Sequence, residues 1–374
     1  MRLCLPAGLF LLLALVCPRV GLARENSGLG PLTISNQFPP ALPYLGFAPE
    51  RTDTLAAGVF ELRYQFNRTN TFLNSQSPRL DRNKTTGLII DATTVAAGLT
   101  AANFPATGYG MYLDMEVDKH LLRFAYGFSD SVELGADVSW LNFSGGWMDT
   151  KITIVERLFG GLNKDRFYSS LHRFDYYLYK DGVPIHETSY APRERFQDPV
   201  LKMKWAALEG GTVMPALSLV LKVKPSLNRS TNPDQQLATS GGTDKGWIVL
   251  ASKTVDDVVG HVQFGTTYLD VNGSLYENVI HYKLFGMEYR LSDKNSFIVQ
   301  SLTRSSMFVS ANPLVNPTTS GPYNYAISRP SDISIWGFIH RTEGFVFEFG
   351  TIEDYYQQTN DADITFYMDL GLSW

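Results

Sequence analysis

The sequence predicts an all-β chain, an antiparallel up-and-down transmembrane β-barrel of about 12 strands with 14 as the alternative, from three observations. Segments of about ten residues alternate apolar and polar side chains. The connections between them are short at one end and long at the other. The last such segment finishes on the terminal Trp374. Of the 374 residues, 18% are charged and 13% aromatic. That charged share lies below the roughly 25% of an ordinary soluble domain.

At the start of the chain, Met1 and Arg2 lead into the apolar run Leu9 to Val16, then Pro18-Arg19 and the small residues Gly21 and Ala23. This is the pattern of a secretory signal peptide, residues 1–23, cleaved after Ala23. A lipobox ending at Cys17 is a poor fit, because Val16 stands where a small residue is wanted. Cleavage leaves 30 basic against 37 acidic residues, a net charge of −7, and removes both cysteines, Cys4 and Cys17. A disulfide scaffold, a thiolate nucleophile and a cysteine-held zinc or iron–sulfur site are thereby excluded. The mild acidity leaves no basic stripe for a nucleic-acid partner. No later run reaches the roughly 18 apolar residues of a membrane helix.

Residues 24–56 hold Pro31, Pro39, Pro40, Pro43 and Pro49, so this segment cannot pair in a central ladder. It reads as a periplasmic tether, an internal plug, or an irregular stretch before the first strand. Residues 57–374 carry the barrel pattern. Strand starts fall near Gly58, Val117, Ser131, Pro199, Val213, Gly246, Val258, Glu277, Ser296, Asp332, Phe345 and Ala362. In the first strand Phe60, Leu62, Tyr64 and Phe66 oppose Glu61, Arg63, Gln65 and Asn67. Leu134, Ala136 and Val138 then oppose Glu133 and Asp137; Leu201, Met203 and Trp205 oppose Lys202 and Lys204. Leu219, Leu221 and Val223 oppose Lys222 and Lys224, and Val262 and Phe264 oppose His261 and Gln263. Phe345, Phe347 and Phe349 oppose Val346 and Glu348. Around Gly286 the parity changes, which reads as a bulge, a glycine bend or a slipped register. The aromatic-rich stretch Leu171 to Lys180 and the one after Asp181-Gly182 would supply the two extra strands of a 14-strand barrel. A short helix is expected at Lys151 to Leu158, after Asp149.

A soluble β-sandwich also alternates, but its strands average five to six residues. Strands near ten residues suit a tilted bilayer crossing, and only a closed sheet satisfies every backbone group in lipid. The final strand places Phe366, Met368, Leu370, Leu372 and Trp374 on one face. An amphipathic strand ending on an aromatic is similar to the sorting signal that outer-membrane barrels present to the barrel assembly machinery. The expected location is the outer membrane of a Gram-negative bacterium, with outer-membrane lipid as the surrounding partner.

Several motifs also resemble a known family. Pro31-Leu32 followed by Asn36-Gln37-Phe38-Pro39 resembles the opening of a bacterial family carried as a domain of unknown function, whose members are taken as outer-membrane-barrel-like envelope proteins. Leu113-Asp114-Met115-Glu116 and the run Tyr126 to Leu134 are similar to later stretches of it. Gly145-Gly146-Trp147-Met148-Asp149 and Phe159-Gly160-Gly161, with Arg166, resemble its long loop. The likeness covers residues 31–374. It departs at Arg157, where the family pattern has His, and that departure weakens any role for the position. The resemblance implies a barrel and supplies no reaction, ligand or catalytic residue.

The chemistry-bearing residues give little. No two of the histidines, at 120, 172, 186, 261, 281 and 340, lie at metal-ligand spacing, and no cofactor is implied. Asp256-Asp257 suits a turn better than a catalytic pair. Ser169, Ser170 and His172 are close in sequence without forming a triad pattern, so no enzyme is expected. Five sequons, at Asn67, Asn83, Asn142, Asn228 and Asn272, are what Asn- and Ser-rich segments contain by chance in a bacterial barrel.

The inward parity is more informative. It predicts a lumen lined by Glu61, Arg63, Arg123, Glu133, Asp137, Lys202, Lys204, Lys222, Lys224, His261 and Glu348, together with Gln263 and Asp369. The four lysines fall on adjacent strands and form either an anion-favouring patch or one neutralised by acidic neighbours. The functional expectation is a passive pore for an unidentified small polar or amphipathic solute, with a structural or surface-binding barrel as the alternative and an outer-membrane enzyme as the third reading.

Overall fold

The computed structural model describes residues 28–74, 90, 92–104, 109–158, 172–192, 194–227, 233–271, 275–309, 330–354 and 362–374. The signal-peptide assignment, Ser169, Ser170, Asn83, Asn228 and Asn272 lie outside the described residues. Among the described residues, no helix is long and apolar enough to cross a membrane.

Twelve strands close into an antiparallel up-and-down barrel. They are β1 (Phe60–Asn74), β2 (Tyr109–Ser129), β3 (Val132–Ser144), β7 (Val200–Glu209), β8 (Ala216–Lys224) and β9 (Asp244–Val255), then β10 (Val258–Tyr268), β11 (Val279–Ser292), β12 (Asn295–Arg304), β13 (Ser331–Arg341), β14 (Phe345–Asp354) and β15 (Ile364–Ser373). Each pairs with its sequence neighbour in the wall, and β1 pairs with β15 from Glu61↔Ser373 to Asn70↔Ile364 to close the seam. Tight connections at Asp130, Asp256-Asp257, Asp293-Lys294 and Thr342 to Gly344 gather at the end where the chain enters β1 and leaves β15. Asp256 takes a positive φ of 54° there, a conformation that Asp tolerates, which supports the turn reading.

β4 (Asp175–Lys180) and β5 (Val183–Thr188) form the hairpin on which the 14-strand alternative rested, yet they do not enter the wall. β4 pairs with the first part of β2, from Tyr109↔Lys180 to Asp114↔Asp175, beyond the point where β3 leaves β2 at Glu116↔Ser144. β2 is therefore 21 residues long and starts at Tyr109 rather than near Val117. A second apolar cluster, including Phe72, Tyr112, Phe104 and Tyr179, packs on this extension. The two-residue β6 (Arg195–Phe196) edges β3. The expected helix occupies Met148–Leu158. Asp149 in its first turn accepts from Asn70 Nδ2 at 2.9 Å and from the His172 amide at 3.0 Å.

The parity change at Gly286 is corrected by the structure. Gly286 pairs in register with both His261 and Gln300, and the irregularity of β11 lies at Arg290/Ser292. Ile280, Tyr282, Leu284 and Glu288 all point inward, while Phe285, Met287 and Tyr289 are exposed outside. The chemistry of the inner face changes along the strand, from apolar to acidic, and the backbone does not. Elsewhere, too, large apolar groups face outward in a continuous belt, among them Phe124, Trp205, Phe264, Trp336, Phe349 and Phe366. An exposed belt of this size suits lipid and not water.

Candidate functional site

The interior is occupied by residues 28–56. Their prolines lack backbone donors, so the segment joins no ladder and its polar groups are met by wall side chains instead. Leu29 and Gly30 donate their amides to the two oxygens of Glu288, each at 2.9 Å. Leu32 donates to Gln300 Oε1 at 3.1 Å, and Gln300 Nε2 returns a bond to the Leu32 carbonyl at 3.0 Å. The Thr33 amide reaches Glu348 at 3.2 Å. The segment turns through a short 3₁₀ helix at Pro39–Ala41 near the outer end, where Arg304 lies over the Phe38 ring. On the way back Leu45 donates to Asp244 at 2.9 Å, Glu50 exchanges two bonds with Gln263, and Leu55 donates to Glu133 at 3.0 Å.

Its apolar residues fill the outer part of the lumen. Leu32, Ile34, Phe38, Leu42 and Phe47 are buried against Leu284, Leu302, Ile333 and Ile335. Phe47 stacks on Tyr282 with ring centroids 5.0 Å apart.

Towards the end bearing the tight turns, the lumen is ionic. Arg63 bridges Glu348 at 2.5 Å and Asp369 at 3.0 Å, and Arg123 donates to the Thr33 carbonyl at 2.6 Å and to Gln65 at 3.0 Å. Each of the four lysines has a carboxylate beside it. Lys202 lies 3.1 Å from Asp137 and 3.4 Å from Glu50; Lys222 lies 3.1 Å from Glu50. Lys204 lies 3.1 Å from Glu133; at the opposite end, where β8 leads into a long loop, Lys224 lies 3.3 Å from Asp244 and 3.5 Å from Asp198. Glu61 meets Arg341 at 3.6 Å. Buried charges demand such partners, since an unpaired one in this environment is expensive.

His261 forms a separate chain of contacts. Ser252 Oγ lies 2.9 Å from its Nδ1 and Glu288 Oε2 lies 3.1 Å from its Nε2, with all three residues buried. The order Ser–His–carboxylate is that of a nucleophilic triad. Glu288, however, also accepts from Leu29, Gly30 and Ser296, so the arrangement serves to fix the carboxylate that holds the N-terminal segment.

All eleven residues singled out on inward parity are thus buried or half-buried on the inner face, in the clusters just described. Sequence reading missed Glu50, because a proline-rich segment has no period to follow. It missed Glu288 through the parity change at Gly286. It also missed Arg341, although Ile333, Ile335, Ile339 and Arg341 share one parity. Phe366, Met368, Leu370, Leu372 and Trp374 lie on the outer face of β15, opposite Thr365, Tyr367 and Asp369. Asn67 of the first sequon is buried inside. Among the described residues, no group of three His, Cys, Asp or Glu is placed to hold a metal ion.

A closed wall of this pattern has counterparts among known proteins. The family model described as Protein of unknown function (DUF3187) matches residues 75–374. The chain belongs to this family. No curated protein matches. Among solved structures, the COG4313 outer membrane channel from Pseudomonas putida F1 is similar with a TM-score of 0.50 at 8% identity, covering 87% of this chain and 99% of that one. LpxR from Salmonella typhimurium gives 0.34 at 9% identity, covering 83% and 99% of the two chains. The Pseudomonas putida toluene transporter TodX gives 0.33 at 8% identity, covering 85% and 88%. The likeness to the first establishes that this DUF3187 member has the fold of an outer-membrane barrel.

Proposed function

We propose that this DUF3187 protein is an outer-membrane channel for small polar or amphipathic solutes, closed in the present structure by its own residues 28–56. The observation that carries the reading is how the segment is held. It is joined to the wall by side-chain contacts at separate points and by no strand pairing, so it can shift without opening the wall's own ladder. The channel-bearing fold of the Pseudomonas putida F1 protein adds support. Passage would follow displacement of the segment and would be passive, shaped by the paired charges of the inner face.

The test is conductance in a planar bilayer, comparing the full mature chain with a variant lacking residues 28–56. Heat-modifiable migration on a detergent gel checks that each is folded. The full chain should be mostly silent and the variant should open in steps. A folded variant without steps would overturn the channel and leave a non-transporting, structural barrel, the reading that the filled lumen otherwise favours.

A further inference from the structure

A cavity of about 230 Å³ opens beneath the N-terminal segment at the end of the barrel that carries the tight turns. The ~30 Å³ share of one liquid water makes it roomy enough for a small organic molecule. One side is apolar, formed by Leu29, Leu55, Ala56 and Val59. The other carries Arg51 and Arg341 beside Asp53 and Glu61, with the exposed Asp293, Lys294 and Glu343 also on the lining. Arg341 leaves β13 with a side chain only 10% exposed, and among the described residues its one ion pair is Nη1 to Glu61 at 3.6 Å. Its Nε and Nη2 are buried with no hydrogen-bond partner, and so is Nε of Arg51, whose Nη2 is taken by Asp53. Asp53 Oδ1 is an unpaired acceptor at the same place. Unsatisfied buried donors on guanidinium groups are costly and match a carboxylate, which accepts at two oxygens.

We infer that this cavity is a binding site for a small amphipathic carboxylate. The carboxylate would sit on Arg341 and Arg51, and the hydrocarbon body would lie on Leu29, Leu55 and Val59. Among the buried unpaired atoms, three donors stand against one acceptor; Glu61 is held by Arg341, and Asp293 and Glu343 are exposed, so the buried part of the site favours an anion over a neutral analogue. The inference names a ligand class for the proposed channel and is measurable without conductance.

Calorimetric titration of the full mature chain, folded in a sugar-headed detergent, uses hexanoate as the probe, with hexanamide and inorganic phosphate as comparisons. Saturable one-to-one binding of hexanoate is expected, with hexanamide and phosphate at least tenfold weaker. Arg341→Gln should weaken hexanoate at least tenfold. Should Arg341→Gln fail to fold, Leu55→Trp, which fills the apolar side and keeps both arginines, should produce the same loss. No binding, equal binding of hexanamide or phosphate, or affinity within twofold of the parent in the folded variant would overturn the site. Hexanoate binding by the full chain, with no conductance steps from the folded variant lacking residues 28–56, would uphold the site and remove the channel.

Discussion

Arg63 on β1 and Asp369 on β15 meet across the seam that closes the barrel, with Nε donating to Oδ1 at 3.0 Å. The same guanidinium takes Glu348 of β14, so one cation bridges two carboxylates from neighbouring strands, with Arg123 4.0 Å from Asp369 as a second. Arg63→Leu would leave Glu348 buried without its cation and Asp369 with only Arg123 at 4.0 Å, a change that costs about 3–5 kcal/mol. The folded gel band of this variant should convert to the unfolded one at a lower temperature than the parent, with Arg63→Lys between them. An unchanged conversion temperature would remove the seam role.

Glu50 is the carboxylate that the N-terminal segment gives to Lys202 and Lys222. Glu50→Gln keeps the shape but removes the charge, leaving Lys222 with no ion-paired acid among the described residues and Lys202 with Asp137 alone. Loosening of the segment should show as more frequent openings in a planar bilayer, with the wall intact by gel mobility. Opening frequency equal to the parent's would show that other contacts hold the segment.

Trp374 pairs with Phe60 through two backbone bonds, one donated each way at 2.9 and 3.0 Å, and their rings stack at 6.4 Å. Deleting Trp374 removes the last rung of the seam and the aromatic end of the proposed assembly signal. The heat-modifiable fraction recovered from the outer membrane should fall severalfold. Full recovery would separate assembly from this residue.

His186 of β5 stacks on Tyr176 at 5.0 Å, and burial pulls its ring down from 6.5 to about 4. The folded hairpin therefore favours the neutral ring. Above about pH 6.5 both states are neutral and the full stability is present; between there and about pH 4 only the unfolded hairpin takes the proton, and stability is lost. Hydrogen exchange over residues 175–188, corrected for its intrinsic pH dependence, should be steady from pH 8 to 7 and faster by pH 5. His186→Phe should flatten the profile. A flat profile in the parent would contradict the account.

The wall was legible in the sequence because a strand writes its two faces as a period of two. Phe345, Phe347 and Phe349 against Val346 and Glu348 need no knowledge of any neighbour to be read. For eleven of the twelve wall strands the expected start falls within three residues of the observed one; the exception, β2, sits where nothing in the local pattern marks the extra length. β2 runs on to Tyr109 because a distant hairpin pairs with it. The hairpin itself, rich in aromatics, looked like wall but packs beyond it.

By itself, the sequence determined that this chain closes a barrel with an apolar belt outside and charges within. Only the tertiary structure decided what those charges do. Lys202 and Lys222 suggest an anion-favouring patch until Glu50 is seen between them, and Glu50 comes from more than 150 residues away along the chain. The structure likewise decided that residues 28–56 fill the lumen, with Glu288, Gln300 and Asp244 meeting their amides. Alternation is fixed by local backbone geometry. The partners of a buried charge or an unpaired amide are fixed by which surfaces the closed wall brings face to face.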